Sequence, residues 1–514
     1  MKAMQLILCL LVICISISAT ERAKAKWTYM LYLTSAPDTE DDKVRNILEL
    51  AEYGSTSNLN IIVQVDWVKS GSQICSDKKY YFPDPQYTGT SRYFIRQDSV
   101  NLVSQLGEVN MGDVNELYSF MEYCRTTYPA ERYLLLFGGH GSGFESYNDL
   151  GLPLRDELYP KAQLVDRYPL PEVVESLQPA RSIAYDDLEA DCITLQELKA
   201  ALSRFKQKEG KKVDFLVYDS CLLMSLETLH EMRDSAIVSI GSEAGVLIAG
   251  MTYDPMVKPI YQDANVDLMK LLSEISYGFV GGGSWSATWT NMWDGAVASA
   301  FVHNTKDLLV NFNRFCELLL KVDRQSLTFK NLMAFGKEER YLDLDVICQS
   351  VINGNVGFKS NAYYGEISAA AKKILENTKG IRAAHWTVGK YNYKGLGGLS
   401  VWWPLRERYE QFRDQLKALD IARDSLWDEF MDYYTFGTVK HTIREKTAAL
   451  RSVNQQLGIA ATAGGDQLES MLEQRSRLID EIGCLLPLAE TGVKDELRSD
   501  LSTPGFEELK NYLD

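Results

Sequence analysis

The chain has 514 residues, 46% of them hydrophobic and 24% charged. That balance excludes a disordered or fibrous protein, and the length exceeds one ordinary core, so two or three domains are expected. Acidic residues outnumber basic ones 70 to 54, for a net charge of −16; this field repels nucleic acid and anionic membranes, and no lysine/arginine block offers a phosphate-binding face.

The chain opens with "MKAMQLILCLLVICISISA". A lysine, an apolar run from Leu6 to Ile17, and small residues at Ser16, Ser18 and Ala19 read as a secretory signal over residues 1–19, too short to span a membrane. Cleavage is expected near Ser18 or Ala19. Bulky Val12 and Ile13 speak against a lipid anchor on Cys14. No later run approaches a transmembrane helix, so an exported protein is expected. Of the nine cysteines, seven remain after the signal: Cys75, Cys124, Cys192, Cys221, Cys316, Cys348 and Cys484. They show no CxxC and no zinc spacing, and an odd count leaves at least one thiol unpaired.

"KWTYMLYLTS" reads as a strand, and "DDKVRNILELAEYGS" places Val44, Ile47, Leu48 and Ala51 on one helical face. "LNIIVQVDW" is a buried strand and "SRYFIRQD" a hairpin strand. "GDVNELYSFMEYCRTTYP" is a capped helix, and Arg132 to Phe137 a further buried strand. A proline- and charge-rich stretch follows, read as an exposed loop. "IAYDDLEADCITLQELKAAL" gives a turn, then a helix opened by Thr194 and Glu197 as a capping box. "KKVDFLVYDSC" is a strand, "LLMSLETLHEMRDS" a helix and "AIVSIGSE" another strand. Beyond Asp263 the pattern turns more helical, with strands at "GAVASAFVH" and "GLGGLSVWWP". From about Thr438, two helical segments joined by "ATAGGD" read as a hairpin. Alternating strands and helices with continuous apolar strands predict an α/β fold: a mainly parallel sheet covered by helices on both faces, with a mixed, more helical C-terminal region.

Chemistry in such sheets sits beyond the C-terminal ends of the strands. "FGGHGSGF" and "YDSC" both fall there. The first is no P-loop, because no Lys-Ser or Lys-Thr follows Gly143, and no Rossmann turn, because Phe144 fills the third glycine slot. "GHGSG" also puts Ser142 in the wrong place for a nucleophile elbow. Of the five histidines, His140 alone stands on a glycine-flanked strand end; His230 sits within a helix, and His303, His385 and His441 lack such a setting. Cys221 follows a buried strand and is read as opening a helix, whose N-terminal amides would favour the thiolate. A neighbouring imidazole would act as general base and acid. The amides of Gly141 and Cys221 are natural donors to an oxyanion. The bland readings are a turn histidine and a buried structural thiol.

"FGGHGSGF" and "YDSCLLMSLETLHEM" together resemble the clostripain-like cysteine peptidases of the caspase-like clan. The pattern is a histidine turn, an Asp-Ser-Cys-Leu nucleophile turn and a glutamate six residues after the cysteine, here Glu227. Phe144 stands where the family has tryptophan. The likeness covers roughly residues 26–435 and implies a caspase-like fold with a Cys221–His140 dyad acting on peptide or protein substrates. It implies that Asp219 reads Arg or Lys at P1, its alternative role being a cap for the following helix. It also implies that "GSEAGVLIAG", with Ser242 and Glu243, lines the same pocket, although Val246, Leu247 and Ile248 are less polar than the family usually has. It further implies self-processing between His140 and Cys221, with Arg155, Lys161, Arg167 and Arg181 as basic sites.

No cofactor is required by this chemistry. Some relatives use calcium, an expectation resting on the resemblance alone; no Asp-rich loop of EF-hand type is present, and "DDLEAD" reads as a solvated turn. The expected organisation is a signal (1–19), a peptidase domain (26–290, with an exposed insertion at 145–182), a C-terminal α/β extension packed on it (291–436) and a helical hairpin tail (437–514). A non-catalytic binding or scaffold protein on the same fold is the alternative.

Overall fold

A computed structural model describes residues 24–34, 40–67, 88–145, 163–167, 182–186, 188–189, 191–246, 250–281, 295–336, 339–389, 395–437, 440–460, 466–486, 494, 497–498 and 506–509. The expected signal, residues 1–19, lies outside them.

In chain order the described strands are β1 (Ala25–Leu33), β2 (Leu59–Trp67), β3 (Gly89–Arg96), β4 (Ser99–Gly107), β5 (Ala130–Gly138), β6 (Gln163–Arg167), β7 (Ile183–Asp186), β8 (Asp191–Ile193), β9 (Val213–Asp219), β10 (Ala236–Gly241), β11 (Gly295–Val302), β12 (Phe329–Phe335), β13 (Tyr341–Asp343), β14 (Arg382–Gly389) and β15 (Ser400–Trp402). Nine of them form one sheet in the order β14-β11-β10-β9-β5-β1-β2-β3-β4. The middle five, from β10 to β2, run parallel, and antiparallel strands flank them at both edges.

Alternation along the central strands divides their side chains between two cores. Met30, Tyr32, Tyr133, Leu135 and Phe137 face one cluster, which includes Leu117, Phe120 and Met121 of helix Val114–Thr127 and Leu198, Leu202 and Phe205 of helix Leu195–Glu209. Tyr29, Leu31, Leu134 and Leu136 face the other, with Val44, Ile47 and Ala51 of helix Glu40–Tyr53 and Met256, Val257 and Ile260 of helix Asp254–Gln262. Both faces are buried, which is why these strands are unbroken apolar runs. The capping box forms as read, Thr194 accepting from the Glu197 amide while Glu197 accepts from that of Thr194.

The segment beyond residue 290 does more than pack on this core. Its strands β11 and β14 extend the main sheet itself. A second sheet, β15-β13-β12-β6, draws on the same segment and on residues 163–167. The stretch read as an exposed insertion therefore contributes a strand, and Arg167 at its end is buried and paired with Glu339 at 2.8 Å. The "DDLEAD" turn is less solvated than read: Asp186 is buried and accepts from the amide of Met111. Helices Lys440–Ala460 and Asp466–Leu485 pack together as the tail hairpin. Among the described residues, Cys124, Cys192, Cys221, Cys316 and Cys348 are buried free thiols and Cys484 an exposed one, and no helix is long and apolar enough to cross a membrane.

Candidate active site

Strand register brings the two motifs together. Gly138 of β5 pairs with Asp219 of β9, and the Gly139 amide donates to the Asp219 carbonyl at 3.3 Å. His140 and Cys221 each stand two residues beyond this matched pair, on neighbouring loops at the C-terminal edge of the sheet. The loops touch at Gly141: a Cβ there would lie 2.9 Å from Ser220 Cβ and 3.0 Å from the Cys221 carbonyl oxygen. Only glycine permits that approach, which keeps the Gly141 backbone beside the nucleophile turn.

Cys221 sits in a tight turn followed by Leu222 at φ +63°, a left-handed conformation that costs a branched side chain energy and that recurs at functional turns. Two segments hold the turn. On one side, the chain leaving β10 runs alongside: the Leu222 amide donates to the Ala244 carbonyl at 3.1 Å and the Met224 amide to that of Ser242 at 3.1 Å. On the other, β15 docks through the Ser400 amide on the Met224 carbonyl, 3.1 Å, and the Trp402 amide on Glu227, 2.9 Å. Glu227 is thus a buried brace between turn and second sheet, and burial pushes its carboxyl up to about 7.

The structure corrects the expected source of thiol activation. The helix after the nucleophile is Leu226–Glu231, capped by Ser225, so its N-terminal amides lie past Cys221. Cys221 is 7% exposed, and the Val246 amide donates to Sγ at 3.2 Å while Sγ reaches the Val246 carbonyl at 3.7 Å. Burial pushes the thiol up to about 12; the Val246 amide and the Arg340 guanidinium pull it down, and Asp219 pushes it up. At rest this is a neutral thiol, which places the burden of deprotonation on a base. His140 is the half-buried imidazole on the adjoining loop. The other described imidazoles are committed to the framework: His230 bridges Thr305 and Asp424, His303 bridges Ser239 and the Leu229 carbonyl, and His385 holds Ser299.

The histidine loop is anchored at its exit. Glu145 is fully buried, accepting from Trp402 Nε1 and Arg408 Nε, each at 2.8 Å, with Arg340 Nε at 3.1 Å. Burial alone would push the Glu145 carboxyl up, but the two guanidinium groups outweigh it and leave it lowered. Phe144 packs edge-on against Trp402, ring centroids 5.0 Å apart. The far end of the insertion returns to the same loop, Ser182 Oγ donating to the Gly143 carbonyl at 3.0 Å.

The three expected pocket residues are placed differently from the reading of the sequence. Ser242 is buried and its hydroxyl accepts from the Ala244 amide at 3.1 Å. Glu243 is fully buried and accepts from the Gly398 amide at 3.0 Å; burial, with Asp343 and Asp345 nearby, pushes its carboxyl well above the usual range. Ser242 holds the nucleophile turn through its carbonyl, and Glu243 ties the same segment to the approach of the second sheet. Asp219 neither caps a helix nor stands free. Its Oδ1 accepts from the Met251 amide at 2.8 Å, its Oδ2 accepts from the Tyr253 hydroxyl at 3.0 Å, and Lys43 Nζ lies 3.7 Å from that Oδ2. Leu247 and Ile248 lie outside the described residues. Lys43, Tyr253, Glu145, Arg340 and Arg408 escaped the sequence reading. Lys43 alone had a signal: it stands four residues before Ile47, on the buried face of its helix.

A parallel sheet carrying a histidine loop and a cysteine turn on adjacent strand ends, under helices on both faces, is the caspase-like α/β fold. Within that fold the chain belongs to the clostripain family, which matches residues 43–179 and 171–434. Clostripain from Hathewaya histolytica is 26% identical over 252 residues, 45% of this chain and 41% of clostripain, so the match spans about two fifths of that protein's length. A secreted C11 cysteine protease from Bacteroides thetaiotaomicron, solved with an irreversible peptide inhibitor, superposes with a TM-score of 0.50 at 16% identity, covering 79% of this chain and 100% of that one. An inactive zymogen C11 protease from Parabacteroides distasonis gives 0.50 at 14% identity, covering 78% and 98%. These two share the fold.

Proposed function

We propose that the protein is an exported cysteine endopeptidase working through Cys221 and His140. The observation that carries the reading is the Gly138–Asp219 register, which delivers thiol and imidazole from neighbouring strand ends. His140 takes the thiol proton as Sγ attacks the scissile carbonyl carbon. The amides of Gly141 and Cys221 receive the developing oxyanion. The imidazolium then protonates the leaving amine, and water, deprotonated by His140, releases the acyl group from sulfur. The chemistry needs only the thiol, the imidazole and two amides.

Export rests on residues 1–19 and agrees with the secreted Bacteroides relative. Self-processing between His140 and Cys221 fits the zymogen state of the Parabacteroides relative. Arg167 is withdrawn as a cut site, because it is buried in a strand; Arg155, Lys161 and Arg181 lie outside the described residues. The Asp219 carboxylate is engaged by the Met251 amide, the Tyr253 hydroxyl and the nearby Lys43 ammonium, which speaks against its use for a basic P1 residue.

The test is hydrolysis of a P1-diverse peptide library by wild type and Cys221→Ala, with intact mass of both. Loss of turnover by about 10³-fold or more in the variant, together with an uncut chain, is expected. Equal turnover would remove Cys221 from the mechanism. A binding protein on the same fold is the second reading, favoured by the closed, neutral thiol. It predicts no cleavage by wild type and Cys221 alkylation no faster than that of a free thiol.

A further inference from the structure

No helix N-terminus backs Cys221, since the following helix starts at Leu226. Once a base takes the thiol proton, negative charge is left on sulfur in a buried turn. A charge in such a place needs a counter-charge, because little water reaches it. The charged groups around the turn come from several elements. Asp219 precedes it, with the Lys43 ammonium 3.7 Å from its carboxylate. Glu227 and Glu243 brace it, and burial pushes both towards their neutral forms. His140 lies on the adjoining loop. Arg340 approaches from the second sheet.

Arg340 leads into β13 and is fixed there, its carbonyl accepting from the Trp403 amide at 2.9 Å. Its side chain is 1% exposed. Gly336, at φ +78°, packs between that side chain and the residue after the nucleophile: a Cβ on Gly336 would lie 3.0 Å from Leu222 Cδ1 and 3.4 Å from Arg340 Cγ and Nε. The next residue, Tyr341, reaches the histidine loop, its hydroxyl donating to the Ser142 carbonyl at 3.4 Å. The charge of Arg340 is not fully matched. Its Nε lies 3.1 Å from Glu145 Oε2. Arg408 already grips that carboxylate, Nε donating to Oε1 at 2.8 Å and Nη2 to Oε2 at 3.0 Å. Two buried guanidinium groups therefore share one carboxylate, and one positive charge is left over. Arg340 Nη1 and Nη2, shielded from solvent, have no hydrogen-bond partner among the described residues. A buried unmatched cation is costly to the fold. An anion that forms beside it during the reaction gives that cost a use.

We infer that Arg340 is a positioning residue that holds a surplus positive charge against the nucleophile turn, where it stabilises the negative charge formed on Cys221 when the thiol gives up its proton. The inference rests on the peptidase reading above and supplies the electrostatic help that the helix does not. Arg340 acts through the field across the turn and touches no reacting atom. Its guanidinium pulls the thiol down, the opposite of the push from Asp219.

Arg340→Gln removes the charge and keeps an amide donor near Glu145, whose own charge Arg408 still matches. Arg340→Met is a second neutral variant, and Arg340→Lys keeps the charge. The measurement is the rate of Cys221 alkylation by iodoacetamide across neutral and alkaline pH, resolved by peptide mapping, with thermal melts and kcat/KM on the peptide library beside it. Loss of the charge should cut the thiolate fraction by about tenfold; the more basic thiolate is more nucleophilic and regains about threefold, so alkylation should slow by about threefold at each pH. In the neutral variants kcat/KM should fall by about tenfold or more. Their Tm should equal or exceed that of wild type, because a surplus buried charge is gone. Arg340→Lys should stay within about threefold of wild-type kcat/KM. The inference is overturned if the neutral variants alkylate as fast as wild type, if Arg340→Lys is slowed as much as they are, or if neither neutral variant folds, since the charge would then serve the fold. Absence of cleavage by wild type would overturn the peptidase reading, and the alkylation rates would still decide the role of Arg340.

Discussion

Burial pushes up both acidic groups that flank β15, but with opposite outcomes. Glu145 is met by two guanidinium groups and stays ionised. Glu227 has backbone amide and hydroxyl partners but no cation, and its carboxyl rises from 4.5 to about 7. The folded chain therefore keeps a proton on Glu227 that the unfolded chain loses at its ordinary value. Between roughly pH 4.5 and 7 this group makes stability fall as pH rises, and above that window its effect is level. Glu227→Gln keeps an oxygen for the Trp402 amide and removes the titration. Thermal melts of the variant should show a smaller loss of Tm from pH 5 to 7 than wild type; a parallel pair of curves would remove Glu227 as the source. Residues of this kind, together with Lys43, are where the sequence says least. A buried carboxylate or ammonium has the same letter as a solvated one, and only the partner, often more than a hundred positions away, decides which it is.

At the scale of elements the sequence was more informative. Unbroken apolar strands announced a sheet covered on both faces, and the histidine and cysteine motifs were read at strand ends because their glycines and their Asp-Ser-Cys turn follow such runs. The miss was the helix after Cys221. Its apolar periodicity begins at Leu222, but the chain first spends Cys221 to Met224 pairing with the outgoing end of β10, and the helix starts only at Leu226. Local pattern cannot report a competition with a distant segment. The tail shows the converse: local pattern suggests a hairpin, either packed on the body or used in association, without choosing between them. Lys446 on its first helix pairs with buried Glu429 of the body and with Glu481 of its second helix at 2.9 Å. Lys446→Met strands the Glu429 charge and should cost about 3–5 kcal/mol. Chemical denaturation measures this; a loss below about 1 kcal/mol, the value of an exposed pair, would show that the tail docks by other contacts.

For the whole molecule, two sheets cooperate on one turn. The nine-stranded sheet delivers His140 and Cys221, and the four-stranded sheet clamps them through Glu145, Glu227 and Glu243. This explains why the C-terminal half is woven into the main sheet instead of forming a detachable module. Catalysis through Cys221 requires that this buried thiol become the most reactive one when a peptide occupies the site. Peptide mapping by mass spectrometry after reaction with a peptidyl acyloxymethyl ketone tests this directly. The predicted result is a thioether on Cys221 alone, lost in His140→Ala. Modification that follows exposure, with Cys484 first and Cys221 spared, would contradict it.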